Sequence, residues 1–309
     1  MKKIGKFIIY IIMSALIIAL LFLMAGTNRF RIVAAYIANA DEYTAQTATK
    51  EIMPCIEKVQ TSDSYTKLVV GDSVCGQIFN GFQEYNEDFS LTGSNDAITI
   101  PGQYLLITEF LKSHPNATDV YLVTRSFSGN GFQYEPWAYQ YLVIPFSEAG
   151  LLQNLDDETL NDMGDIFGDI FMIPRVIEEV DQNPILSKIY INSLDGNSYD
   201  NNNLTIQYLK KLIDVCDSNG VTFHMVHAPV AMSAEAYVSS ERDNILNLIS
   251  GTDLEAYVTA YYDSTIYYDD SVFSDGIHFN RELYNNDALA EVIRDMSDKI
   301  PELSTIKTS

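Results

Sequence analysis

The chain has 309 residues, 47% of them hydrophobic, enough for one α/β domain with an ample core and too few for a second full domain once an apolar N-terminal stretch is set aside. Its formal net charge is −23, from 42 acidic against 19 basic residues, and Lys2, Lys3, Lys6, Arg29 and Arg31 flank the apolar stretch rather than belong to the domain. Such a surface repels phosphate backbones, so no nucleic-acid partner is expected.

In chain order, the first element is the apolar run over residues 7–25, broken only by Tyr10 and Ser14 and preceded by three lysines. It is long enough to cross a bilayer core of ~30 Å as a helix. Leu23-Met24-Ala25-Gly26 matches a signal-peptide cleavage site poorly, so a retained anchor is favoured over a cleaved leader. The basic-then-apolar order points to a single-pass membrane chain with its domain outside the cytoplasm. On this reading residues 1–31 are the anchor, 32–64 a helical stalk and 65–309 the domain.

Lys67-Leu68-Val69-Val70 is a short apolar run ending at Gly71, and helical spacing follows over residues 74–85, a strand-turn-helix unit. A second unit is read from Ala97-Ile98-Thr99-Ile100 through Pro101-Gly102 into a helix over 104–111. Residues 119–124 predict a third strand. Residues 129–199 break the rhythm, aromatic early and acidic later, and read as an insertion over the sheet edge or the mouth of the site. A helix over 204–219 stops near Gly220, a strand spans 221–226, and helices follow over 234–249 and 281–299. Strands alternating with helices imply a mainly parallel sheet covered on both faces, whose ligands bind at the carboxyl ends of the strands.

Two short segments carry chemistry. Gly71-Asp72-Ser73 puts a serine hydroxyl where the first strand ends and a helix begins, beside the positive end of the helix dipole. Alone, such a serine is as readily a helix cap as a nucleophile. Asp275-Gly276-Ile277-His278 places a carboxylate three residues before a histidine, just ahead of the last helix. That carboxylate can orient the imidazole as the base a serine hydroxyl needs. Aspartate-glycine is also an ordinary turn, and it is the two segments together, in this order, that argue for a Ser73, His278 and Asp275 triad.

These residues resemble the SGNH, or GDSL-like, hydrolase family: Gly71-Asp72-Ser73 matches its first block and Asp275-x-x-His278 its last. The resemblance implies a three-layer α/β/α SGNH-type domain with a mainly parallel sheet, here preceded by one transmembrane helix. It also implies a Ser-His-Asp triad and an oxyanion hole built from the serine amide, a glycine amide and an asparagine side chain. By position the glycine is Gly102. The asparagine departs from the pattern, because Thr124-Arg125-Ser126-Phe127 stands where the family has G-x-N after the third strand. Gly93-Ser94-Asn95-Asp96 has the matching letters but precedes the expected second strand and reads as a turn; Asn130, further along the loop after the third strand, is the alternative donor.

Phe132, Tyr134, Trp137, Tyr139 and Tyr141 form an aromatic run, with Trp137 and Tyr139 as candidate substrate-binding residues that stack on sugars and core packing as the competing reading. Cys55, Cys75 and Cys216 lack disulfide or zinc spacing, His224 and His227 point to opposite faces of their strand, and the acidic clusters lack a calcium-loop pattern. No metal and no cofactor is expected. The function expected is an extracytoplasmic serine esterase or O-acyltransferase acting on acyl esters, acetyl above all, of a cell-surface polysaccharide. The resemblance extends to membrane-anchored partners of membrane-bound O-acyltransferases, so the expected partners are an acylated carbohydrate polymer, the membrane and such an acyltransferase. Two alternatives stand beside it: an SGNH-like assembly module that has lost catalysis, and a lipase or thioesterase at the membrane surface.

Overall fold

The computed structural model describes residues 46–94, 99–125, 138–182 and 202–309, together with Met13, Ser14 and Leu186. The apolar run over 7–25 therefore lies outside the described residues save for Met13 and Ser14. Among the described residues no helix is long and apolar enough to cross a membrane.

The framework is a four-stranded parallel sheet of β1 (Lys67–Gly71), β2 (Phe89–Gly93), β3 (Asp119–Thr124) and β4 (Thr222–His227), in the order β2-β1-β3-β4. Side chains alternate across a strand, so an apolar run buries both faces at once. Leu68 and Val70 of β1 enter one core with Val120 and Leu122 of β3, while Val69, Tyr121 and Val123 enter the other. Helices α1 (Gln46–Gln60), α3 (Ile100–Ser113) and α7 (Asn202–Ser218) cover the first face, joined by α8 (Glu235–Ile249) and α9 (Leu254–Asp263). Helices α2 (Ser73–Phe79) and α10 (Asn286–Ser297) cover the second. The chain is thus an α/β domain with a mainly parallel sheet between helices.

Several expected elements fall elsewhere. The second strand among the described residues is Phe89–Gly93, and residues 97 and 98 of the expected one lie outside them: Phe89 and Leu91 bury into the second core, while Ser90 and Thr92 satisfy each other at 3.1 Å on the opposite face. Ile100 instead opens α3, where Pro101 suits a first helical turn whose amides have no internal partner anyway. The helix expected over 74–85 stops at Phe79 and continues as a 3-10 turn, Asn80–Tyr85. Sequence patterning also passed over α9 and a short parallel pair, Val230–Ala231 with Tyr267–Tyr268.

The stalk reading fails over residues 46–60. Ile52, Ile56 and Val59 recur on one face of α1 and are fully buried in the first core, and Lys58 Nζ donates to Leu91 O at 2.8 Å. Burying each such aliphatic side chain contributes about 1.5–3 kcal/mol, so α1 belongs to the domain. The described part of the expected insertion, residues 138–182, is helical and packs on the same face. It runs through a π-helix (Tyr139–Val143), α4 (Ile144–Glu148), α5 (Asp157–Phe167) and α6 (Pro174–Gln182), and Leu142, Ile144, Phe146 and Phe167 are fully buried.

Candidate active site

Two glycines set the turn after β1 in place. A Cβ on Gly71 would lie 1.8 Å from Val123 O of the neighbouring strand, and one on Gly93 would lie 2.1 Å from the Gly76 amide of α2. Only glycine lets the ends of β1 and β2 close on β3 and on α2 at these distances. Asp72, 2% exposed, then caps α2: its Oδ1 accepts from the Val74 and Cys75 amides at 3.0 and 3.2 Å, and its Oδ2 accepts from the Arg125 amide at 2.7 Å. One carboxylate thereby satisfies two orphan amides of the helix and ties down the chain leaving β3. Ser73, the first residue of α2, is presented at the carboxyl edge of β1.

The histidine arrives on a loop closed on itself. Phe273 and Phe279 pair as an antiparallel bridge, the Ser274 amide donates to His278 O at 2.9 Å, and Gly276 takes φ 79°, a left-handed value that suits glycine. Asp275 Oδ1 accepts from the Ile277 and His278 amides at 3.0 and 2.8 Å, leaving Oδ2 2.8 Å from His278 Nδ1. Partial burial raises the Asp275 carboxyl, but the hydrogen bonds from the His278 amide, its ring and the Ile277 amide outweigh it and hold the group down to about 2. An ionised Asp275 requires the proton of a neutral His278 on Nδ1, so Nε2 carries a lone pair. That nitrogen lies 2.8 Å from Ser73 Oγ, which donates to it.

Residues 205 positions apart in sequence thus form a continuous Ser73–His278–Asp275 hydrogen-bonded chain. No family model, curated protein or solved structure matches this sequence. What the arrangement can do therefore rests on its geometry.

Two side-chain amides of the segment after Ser73 hold the site's loops. Gln77 donates through Nε2 to Phe279 O at 2.6 Å and accepts from the Phe279 amide at 2.9 Å. Asn80 treats Gly93 in the same way, donating to its O at 2.7 Å and accepting from its amide at 2.9 Å. With Asp72, these are the site residues that sequence reasoning missed. A polar residue one helical turn after Ser73 in an otherwise apolar helix was the one available signal.

A cavity of about 850 Å³ opens on Ser73 and His278, walled by Gly93 and Ser94 from the end of β2, by Glu51, Pro54 and Cys55 from α1, and by Arg281 beyond the histidine loop. Gly102 does not line it; it is buried in the first turn of α3, which Ile100 opens. The glycine that does end the second strand is Gly93, but its amide is already donated to Asn80, and the Ser94 amide is donated to Gly71 O at 3.1 Å. No hydrogen bond is found for the Ser73 amide among the described residues. Asn95, Asn130 and Trp137 lie outside the described residues. Tyr139 is fully buried, its ring 5.6 Å from that of Phe167, so it packs the core and does not meet substrate.

The other titratable groups serve structure. His114 bonds Asp63 at 2.9 Å and stacks on Phe110, and His224 bonds Asp119 at 3.2 Å and stacks on Tyr121. Burial lowers His227 to about 4 and keeps it neutral. Burial raises Cys55 to about 11, which leaves a thiol rather than a nucleophile at the cavity wall. No cluster able to hold a metal ion occurs among the described residues.

Proposed function

We propose that the chain is a serine esterase or acyltransferase of the SGNH type, in which Ser73 is the nucleophile, His278 the general base and Asp275 its orienter. The observation that carries this is the pair of 2.8 Å contacts linking the three side chains at the carboxyl edge of a parallel sheet. The Ser73 proton passes to His278 Nε2 as Oγ bonds to the acyl carbon, and Asp275 stabilises the imidazolium that forms. Return of that proton to the leaving alcohol frees it and leaves an acyl-serine, which water or a sugar hydroxyl then attacks. The Ser73 amide, at the first turn of α2, faces developing negative charge with the helix dipole behind it.

The substrate we infer is an O-acetylated or acetyl-accepting polysaccharide. A cavity of about 850 Å³ is far larger than an acetyl group needs and leaves room for a sugar-bearing alcohol. The apolar run over 7–25 would hold the domain at the outer membrane surface, near such a polymer and near a membrane-bound acyltransferase. One observation favours the rival reading, an assembly module without catalysis: the amides of Gly93 and Ser94 are both occupied, which leaves the oxyanion few donors among the described residues.

A fluorophosphonate probe with peptide mapping separates the two. Labelling confined to Ser73 and abolished in His278→Ala is the expected result. A folded protein that leaves Ser73 unlabelled under conditions that label a control serine esterase would favour the assembly module.

A further inference from the structure

We propose that Gln77 is a positioning residue whose side-chain amide sets the approach of His278 to Ser73. The inference rests on the reading of that pair as base and nucleophile.

The bonds between Asp275 and His278 all lie within one four-residue turn, so they fix the ring relative to its own loop and not relative to the serine. The Ser274 to His278 backbone bond likewise closes the loop on itself. What joins that loop to the nucleophile is different. Ser73 and Gln77 lie one helical turn apart on the same face of α2. The Gln77 amide grips both the N–H and the C=O of Phe279, the residue that follows His278. Nucleophile and ruler therefore sit on one rigid seven-residue helix.

Apolar packing alone would not fix this distance. Phe279 is buried against Phe273 at 5.0 Å and Tyr284 at 4.6 Å between ring centroids, which holds the loop on the domain. Ring contacts are non-directional and tolerate sliding, whereas two opposed hydrogen bonds from one planar amide fix the Phe279 peptide groups in direction and along the helix axis. Asn80 supplies a matching grip on Gly93, so the segment that carries Ser73 also registers the end of β2.

Gln77→Leu removes both bonds at similar volume, and Gln77→Glu keeps the acceptor while turning a carboxylate oxygen toward Phe279 O. Because about 1 Å of misplacement costs on the order of 10²-fold, kcat on an acetyl ester should fall at least about tenfold in Gln77→Leu, and also in Gln77→Glu, whose carboxylate repels Phe279 O. KM should change less than kcat, since both Gln77 bonds go to Phe279 and act on the base, although Gln77 also lines the cavity. In a His278→Ala background Gln77→Leu should cost nothing further, an outcome that general destabilisation would not give.

A second readout needs no turnover. The ¹⁵N shift of His278 Nε2 should move from its wild-type value toward that of Ser73→Ala, while Nδ1, bonded to Asp275, stays in place. If Nε2 keeps its wild-type shift in both folded variants, the positioning role is overturned, whether or not the protein cleaves esters. If Nε2 moves but the wild type neither labels nor turns over, the positioning stands and the hydrolase reading falls. Should circular dichroism show Gln77→Leu unfolded, Gln77→Glu carries both measurements.

Discussion

Asp275→Asn is the substitution whose consequence the hydrogen bonds define most sharply. In the folded chain Oδ1 already accepts two amides, from Ile277 and His278, and only Oδ2 faces the ring. An asparagine must keep its single oxygen on those two amides, so its NH₂ turns toward Nδ1 and demands an acceptor there. The ring proton then moves to Nε2, and Ser73 loses the lone pair that would take its proton. Loss of the correct tautomer in a serine triad costs about 10⁴ in kcat, and the 53% exposure of the Asp275 side chain lets water soften the effect. We expect a fall of about 10³, or about 4 kcal/mol in barrier, with KM little changed. Initial rates on p-nitrophenyl acetate across pH 6–9, with circular dichroism to confirm the fold, measure it. A folded Asp275→Asn protein within about threefold of wild type would refute the tautomer argument and reduce Asp275 to a turn residue.

Ile56→Ala should lower the unfolding free energy by about 2–5 kcal/mol in urea titration, because Ile56 is fully buried where α1 meets the core; a negligible loss would make α1 peripheral. His227 gives a pH signature. Burial lowers its folded value from 6.5 to about 4, so between those limits the unfolded chain takes up a proton that the folded chain refuses, and stability falls as pH drops. His227→Gln should flatten this slope relative to wild type across pH 6.5 to 4, and identical slopes would show that His227 charges freely in the fold.

How much could be read beforehand followed from how local each signal is. Gly71-Asp72-Ser73 and Asp275-x-x-His278 carry their capping, turn and orienting bonds inside three or four residues, so their chemistry is visible in the letters. Strand β2 was missed because two of its buried positions, Ser90 and Thr92, look like turn residues until their mutual hydrogen bond is seen, while Thr99 and Ile100, read as the end of a strand, cap and open α3. That error displaced the expected glycine from Gly93 to Gly102. The grip of Gln77 on Phe279 spans 202 positions, so the sequence marks a polar residue in an apolar helix but not its partner. Helix α1 reads as a helical stalk because nothing local shows what its apolar positions meet; Ile52, Ile56 and Val59 bury in the core that covers the sheet.

The place of α1 bears on how the globular part of this chain can be handled. A shortened protein that starts near Tyr65, the apparent onset of the first strand, would keep every member of the triad. It would also expose the apolar surface that Ile52, Ile56 and Val59 cover and strip Glu51, Pro54 and Cys55 from one side of the cavity. Such a fragment would invite aggregation and leave the cavity unwalled on that side, so inactivity in it would say nothing about Ser73. The N-terminal boundary for a water-soluble form belongs before Gln46, where the helix that closes the cavity begins.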